Sequence, residues 1–226
     1  MRFLLYLLLL ALTTCTPPDQ LAVLPDTDYV PVQPGQYRVY TVTEQRFGPG
    51  GVSATRQYTR RETLGLPFRT LTGNMAYPLT YAHQSATSPI WITDSLGTVE
   101  QTPTEYWLTT GSRTTVQLTF PLFDGQRWDG NRYNALGPDE FLLQRCHQPF
   151  RTDTKTYDRT MTVVQQNDST LVGQDKRIAV YAYQIGLVYA ERQQVRYCAN
   201  SPGCGRPTAI AYGIRQFVRL LEHGNQ

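Results

Sequence analysis

Cys146 stands directly before His147, which are the residue types of a thiolate nucleophile and its base. A strand turns adjacent side chains to opposite faces. The pair therefore reads as a buried or free thiol beside an unrelated histidine. His83, His147 and His223 are scattered, and none belongs to an H-E-x-x-H or H-x-x-x-H metal arrangement. His223 reads as a solvated tail residue. A nucleophile elbow of the Gly-x-Ser-x-Gly type is absent from the sequence. Gly48-Pro49-Gly50-Gly51 lacks the lysine and the strand-to-helix context of a phosphate loop. Asp124, Asp129 and Asp139 cluster with Gly125, Gly130 and Gly137, but their spacing fits no calcium loop of the EF-hand kind. They read as turn residues. Glu105 and Asp124 are the carboxylates to consider for a glycosidase, whose chemistry needs two carboxyls roughly 5 to 10 Å apart across a cleft. These residues support no catalytic assignment, no metal site and no cofactor.

The aromatic residues are the more suggestive set. Trp91, Trp107 and Trp128 join fifteen tyrosines. Trp91 and Trp107 are candidate binding aromatics, because exposed flat rings bind sugars or protein partners. Trp128 precedes Gly130 and Asn131 and reads as a core plug under a hairpin.

The elements that carry these residues are strands. Period-2 alternation separates Tyr37, Val39, Thr41 and Thr43 from Arg38, Tyr40, Val42 and Glu44. After the Gly48–Gly51 loop, residues 52–62 return as a strand. Val116-Gln117-Leu118-Thr119-Phe120 is a half-buried strand that ends at Pro121. Residues 160–165 alternate again, with Asn167-Asp168 as the following turn. Residues 178–183 and 187–197 form a pair broken near Gly186. Residues 214–221 fit a helical stripe as well as a strand face, and the β context favours the strand. The expectation is an all-β, mainly antiparallel fold, with one curved or partly closed sheet and little helix beyond a leader.

The leader supplies the address. Arg2 precedes an apolar run from Phe3 to Leu12, then Thr13, Thr14 and Cys15, which is the layout of a signal peptide. The run is shorter than the roughly 20 residues a spanning helix needs. Leu12-Thr13-Thr14-Cys15 also resembles a lipobox, which makes Cys15 the lipidated first residue of the mature chain. Thr16-Pro17-Pro18-Asp19-Gln20 follows as an extended spacer. The division is residues 1–14 signal peptide, 15–28 lipidated cysteine and spacer, and 29–226 β-rich domain. Thr16 stands where Asp would retain a lipoprotein at the inner membrane, so the outer membrane is expected, its face left open. The formal charge is +3, and Lys155 and Lys176 are the only lysines, so nucleic acid is not an expected partner. The lipid ties the chain to a membrane, and an envelope protein or glycan is the expected further partner. Cys198 and Cys204 bracket a loop of turn residues in an oxidising compartment. A disulfide closing it would contribute on the order of 2 kcal/mol.

Four segments together resemble an uncharacterised lipoprotein family of Bacteroidota. They are Tyr29-Val30-Pro31-Val32-Gln33-Pro34-Gly35-Gln36-Tyr37, Leu118-Thr119-Phe120-Pro121 with Trp128-Asp129-Gly130-Asn131, Val180-Tyr181-Ala182 to Tyr189, and Tyr197-Cys198 through the ending. The resemblance implies an exported, anchored, mainly β protein and supports the Cys198–Cys204 pairing. It brings no activity with it. The functional expectation is a non-catalytic binding or structural module of the envelope. A carrier of apolar cargo on an open sheet face is the alternative, and a glycan or cell-wall hydrolase the more distant one.

Overall fold

A computed structural model describes residues 25–48, 51–85, 87–198 and 209–226. Residues 1–24 and 199–208 lie outside them, so the expected lipidation of Cys15 and the Cys198–Cys204 bridge do too. A 3-10 helix, Asp26–Tyr29, precedes thirteen strands. They are β1 Gln36–Gly48, β2 Gly51–Leu64, β3 Phe68–Arg69, β4 Met75–Ser85, β5 Ile92–Gln101, β6 Glu105–Thr110 and β7 Arg113–Thr119. The second half holds β8 Arg127–Asp129, β9 Glu140–Arg151, β10 Thr156–Thr170, β11 Gly173–Ala182, β12 Gly186–Tyr197 and β13 Ile210–Asn225. The expected all-β fold is what forms, and residues 214–221 lie within β13.

All the strands join one antiparallel sheet in the order β7-β6-β5-β4-β2-β1-β13-β12-β11-β10-β9-β8, with β3 beside β4. The sheet curls until its two edges meet. The Val116 amide donates to the Gly130 carbonyl at 2.9 Å, and the Trp128 indole donates to the Val116 carbonyl at 3.0 Å. Those bonds satisfy groups that an open edge would leave bare. Trp128 is buried here, edge-on to Phe141, as the core plug its sequence neighbours suggested.

Residues 167 and 168 do not form the expected turn. β10 runs on to Thr170, and Asn167 and Asp168 pair with Lys176 and Asp175. A register shift between Val164 and Gln166 breaks the alternation there and imitates a strand end.

The alternation in β1 decides what the interior holds. Arg38, Tyr40, Val42 and Glu44 turn inward, and all four are buried. One end of the interior is filled. Tyr29 and Val30, from the segment leading into the sheet, pack with Leu118, Phe120, Phe141, Leu143 and Met161. Each such side chain stabilises the fold by about 1.5–3 kcal/mol. Hydrogen bonds hold that entering segment in place. Asp26 accepts from the Leu122 amide, Asp28 accepts from the Tyr183 hydroxyl, and the Gln101 amide donates to the Thr27 and Val30 carbonyls. Contacts with the sheet thus begin inside the stretch that the sequence reading assigned to the spacer.

Candidate functional site: the polar mouth of the sheet

Above the apolar end the inward residues change character. Arg38 lies opposite Glu62, which lies opposite Tyr81, and Tyr40 lies opposite Arg60. Arg60 pairs with Glu62 at 3.0 Å and its guanidinium lies over the Tyr40 ring. Burial raises the hydroxyl pKa of Tyr40, Tyr81, Tyr106 and Tyr181. Tyr40 and Tyr181 are buried and Tyr81 and Tyr106 half-buried, so tyrosines and an ion pair border the apolar end, and the opposite end is open.

At the open end lies a cleft of about 560 Å³, lined by Glu44, Arg46, Arg56, Tyr58, His83, Ser85 and Asp94 among others. β1, β2, β4 and β5 supply this wall. His83 Nδ1 and Asp94 Oδ1 are 2.5 Å apart, and the Tyr58 ring meets the His83 ring edge-on. Glu44 bonds Arg46 at 2.7 Å and accepts from Gln216 of β13 at 2.8 Å. Further around the sheet, Arg177 holds Asp139 through two bonds of 2.8 and 3.1 Å and reaches Asp175 at 3.0 Å. Arg56 is exposed and makes no ion pair among the described residues. The mouth thus combines fixed donors and acceptors, one half-exposed imidazole–carboxylate pair and one arginine able to take an outside partner. It can hold a hydroxylated or anionic molecule by charge-assisted hydrogen bonds. Among the described residues, no group of three or more His, Cys, Asp or Glu side chains is placed to hold a metal.

The sequence-predicted residues fall in different places. Trp91 precedes β5 on the same strand end as Asp94 and is partly exposed. Trp107 is engaged elsewhere. Its indole donates to Glu105 at 2.6 Å, and its ring meets Tyr133 edge-on with centroids 5.0 Å apart. Glu105 is itself buried, and it also accepts from Arg132 at 2.5 Å and Tyr133 at 3.0 Å. It fastens the loop after β8 across β6, a structural role. Asp129 accepts from the Asn131 amide two residues on, as a turn carboxylate does, and from the Asp139 amide, whereas Asp124 reaches across to the Cys146 amide of β9. His223 is exposed but belongs to β13, opposite Arg38, and is not a tail residue.

Cys146 and His147 depart from strand alternation. Arg145 and His147 both have positive φ, 56° and 58°, and residues 145–147 fall in a gap in the β9–β10 register. His147 Nδ1 is 2.8 Å from the Tyr29 hydroxyl and accepts from Arg159 at 3.3 Å. Cys146 instead packs against the apolar core. Burial, then the nearby Asp124 carboxylate, pushes its thiol up to about 12. A thiol held protonated is not a nucleophile at neutral pH.

Sequence reasoning missed His83, Asp94, Arg56 and Glu44. The two acidic and basic partners lie on neighbouring strands, and only the fold brings them together. Polar residues on both faces of β2 were the available signal.

No protein-family model and no curated protein matches the chain. Among solved structures it is similar to a "putative lipoprotein" from Parabacteroides distasonis, at 8% identity and a TM-score of 0.44, over 87% of this chain and 98% of that one. It is also similar to a "putative exported protein with YmcC-like fold" from Bacteroides fragilis, at 9% identity and a TM-score of 0.39, over 86% and 98%.

Proposed function

We propose that the chain is a lipid-anchored envelope protein, held at the outer membrane through Cys15, that binds a polar ligand at the open mouth of its sheet without transforming it. The observation that carries the reading is the division of the interior: an apolar end filled by side chains and an open end lined by charges and hydroxyls. Apolar cargo is disfavoured, because the apolar half is occupied by Tyr29, Leu118 and Met161. A glycan bearing carboxylates suits Arg56 and the His83–Asp94 pair, since arginine takes a carboxylate bidentately. The leader and the resemblance to Bacteroidota lipoproteins support the anchor.

Titration calorimetry with a panel of neutral and uronate-bearing oligosaccharides tests the ligand class. Binding of the acidic members, weakened about tenfold or more by Arg56→Ala, is the expected result. Equal binding to wild type and Arg56→Ala, or preference for a neutral apolar ligand, rejects the mouth as the site. Release of reducing ends by the wild type, lost in Asp94→Asn, would make the protein a hydrolase instead.

A further inference from the structure

The short hairpin around β3 carries exposed apolar side chains: Leu66, Phe68, Leu71 and Met75. Leu71, at its tip, is fully exposed. A cluster of this kind marks an interaction surface when something on the molecule says what meets it.

The hairpin stands at the filled end of the sheet, where the chain enters. The Gly35 amide donates to the Leu64 carbonyl at 2.9 Å, just before the hairpin, and Val32 packs against Leu64 and Leu79. The described chain starts at Pro25, and Asp26 accepts from the Leu122 amide beside exposed Phe123, at the same end. Residues 16–24 span about 30 Å when fully extended, so a lipid on Cys15 sets this end near the bilayer.

The hairpin is also built to meet an interface. Several of its polar groups bond within the hairpin, which lowers the cost of an apolar surrounding. The Thr70 amide donates to the Asn74 carbonyl, the Gly73 amide to the Thr70 carbonyl, and Arg69 to the Gly73 carbonyl. Arg69 adds a long cationic side chain able to reach headgroups from a shallow depth. The opposite end also exposes apolar residues, Leu171 and Val172 at the β10–β11 turn. Exposure alone therefore does not choose an end; the position of the anchor does.

We infer that the β3–β4 hairpin is a second point of membrane contact, which seats Leu66, Phe68 and Leu71 in the bilayer surface beside the lipid anchor. The proposal rests on the anchored reading above. It fixes the orientation of the domain, with the filled end on the membrane and the polar mouth facing away.

The test uses the full lipidated chain reconstituted into phosphatidylcholine vesicles with brominated acyl chains. Two variants each add one tryptophan, Leu71→Trp and Leu171→Trp, and the wild-type emission is subtracted from both. Flotation with the vesicles is measured first. The expected result is flotation of both variants, with the added emission at 71 largely quenched and that at 171 unaffected. Flotation without quenching at 71, or with quenching only at 171, overturns the hairpin contact and leaves the anchor standing. Failure to float removes the anchor and the hairpin contact together.

Discussion

A Cβ placed on Gly186 would lie 2.6 Å from Nε of Arg38. Gly186 has φ of +97° at the β11–β12 turn, so both its backbone and its missing side chain are required. The space it leaves admits the Arg38 guanidinium, which donates to the Ile185 carbonyl at 2.6 Å and to the Pro31 carbonyl at 3.0 Å. One buried arginine thus ties the entering segment to a turn nearly 150 residues later.

Gly186→Ala should destabilise the fold by about 2 to 4 kcal/mol, through strain at positive φ and displacement of Arg38. Arg38→Met keeps much of the volume but orphans two carbonyls, and should cost about 1 to 3 kcal/mol. Urea unfolding of the three proteins checks both. A Gly186→Ala midpoint equal to wild type would refute the close approach.

The seam between β7 and β8 gives a second prediction. Glu105→Ala removes the acceptor shared by Trp107, Arg132 and Tyr133, and should cost about 2 to 3 kcal/mol, Arg132 being partly exposed. Hydrogen exchange should rise first at the Val116 amide, whose bond to Gly130 spans the seam. Uniform acceleration across the sheet would show instead that Glu105 supports the whole fold.

Alkaline pH should unfold the protein through its tyrosines. Burial raises the pKa of Tyr40, Tyr81 and Tyr181, and pushes Tyr106 up to about 12. The folded state then holds these protons more tightly than the unfolded chain, whose value is 10.0. Their contribution to stability is complete below pH 10 and is lost progressively above it, through about 12 for Tyr106 and at still higher pH for the other three. Urea midpoints and tyrosinate absorbance, followed together against pH, should move in step. Tyr106→Phe should flatten part of the fall.

Cys146 should be inert. With its thiol pushed up to about 12, alkylation by iodoacetamide at pH 8 should be on the order of a hundredfold slower than that of a free cysteine. Asp124→Asn removes the nearby negative charge and should speed it. Intact-mass spectrometry of the reduced protein, followed by peptide mapping, reads the rate at residue 146. Rapid modification would reopen the question of a Cys146–His147 dyad.

How far the sequence reaches depends on the kind of pattern. The alternation in β1 was legible, and the structure assigns the Arg38–Tyr40–Val42–Glu44 set to the interior. Trp128 was legible from its turn neighbours. The polar belt was not, because Arg60 and Glu62 mimic a solvated face until the sheet curls around them. The bulge at residues 145–147 was hidden for another reason: positive φ at Arg145 and His147 leaves no mark in residue types. The His83–Asp94 pair depends on a register shift between Tyr81 and Ala82, which no local pattern encodes.

The sheet order has a consequence for how the chain is made. Read from β8 through β13 and on from β1 to β7, it is a meander of consecutive neighbours, with β3 set beside β4. The pairing of β1 with β13, from Gln36 opposite Asn225 to Phe47 opposite Gly213, joins the first and last of the described strands. During synthesis β1 therefore keeps one bare edge until the sixteen residues of Ile210–Asn225 arrive. A chain halted before them would display that edge to any neighbour able to add a strand. The arrival of β13 is what turns a collection of hairpins into a protected sheet.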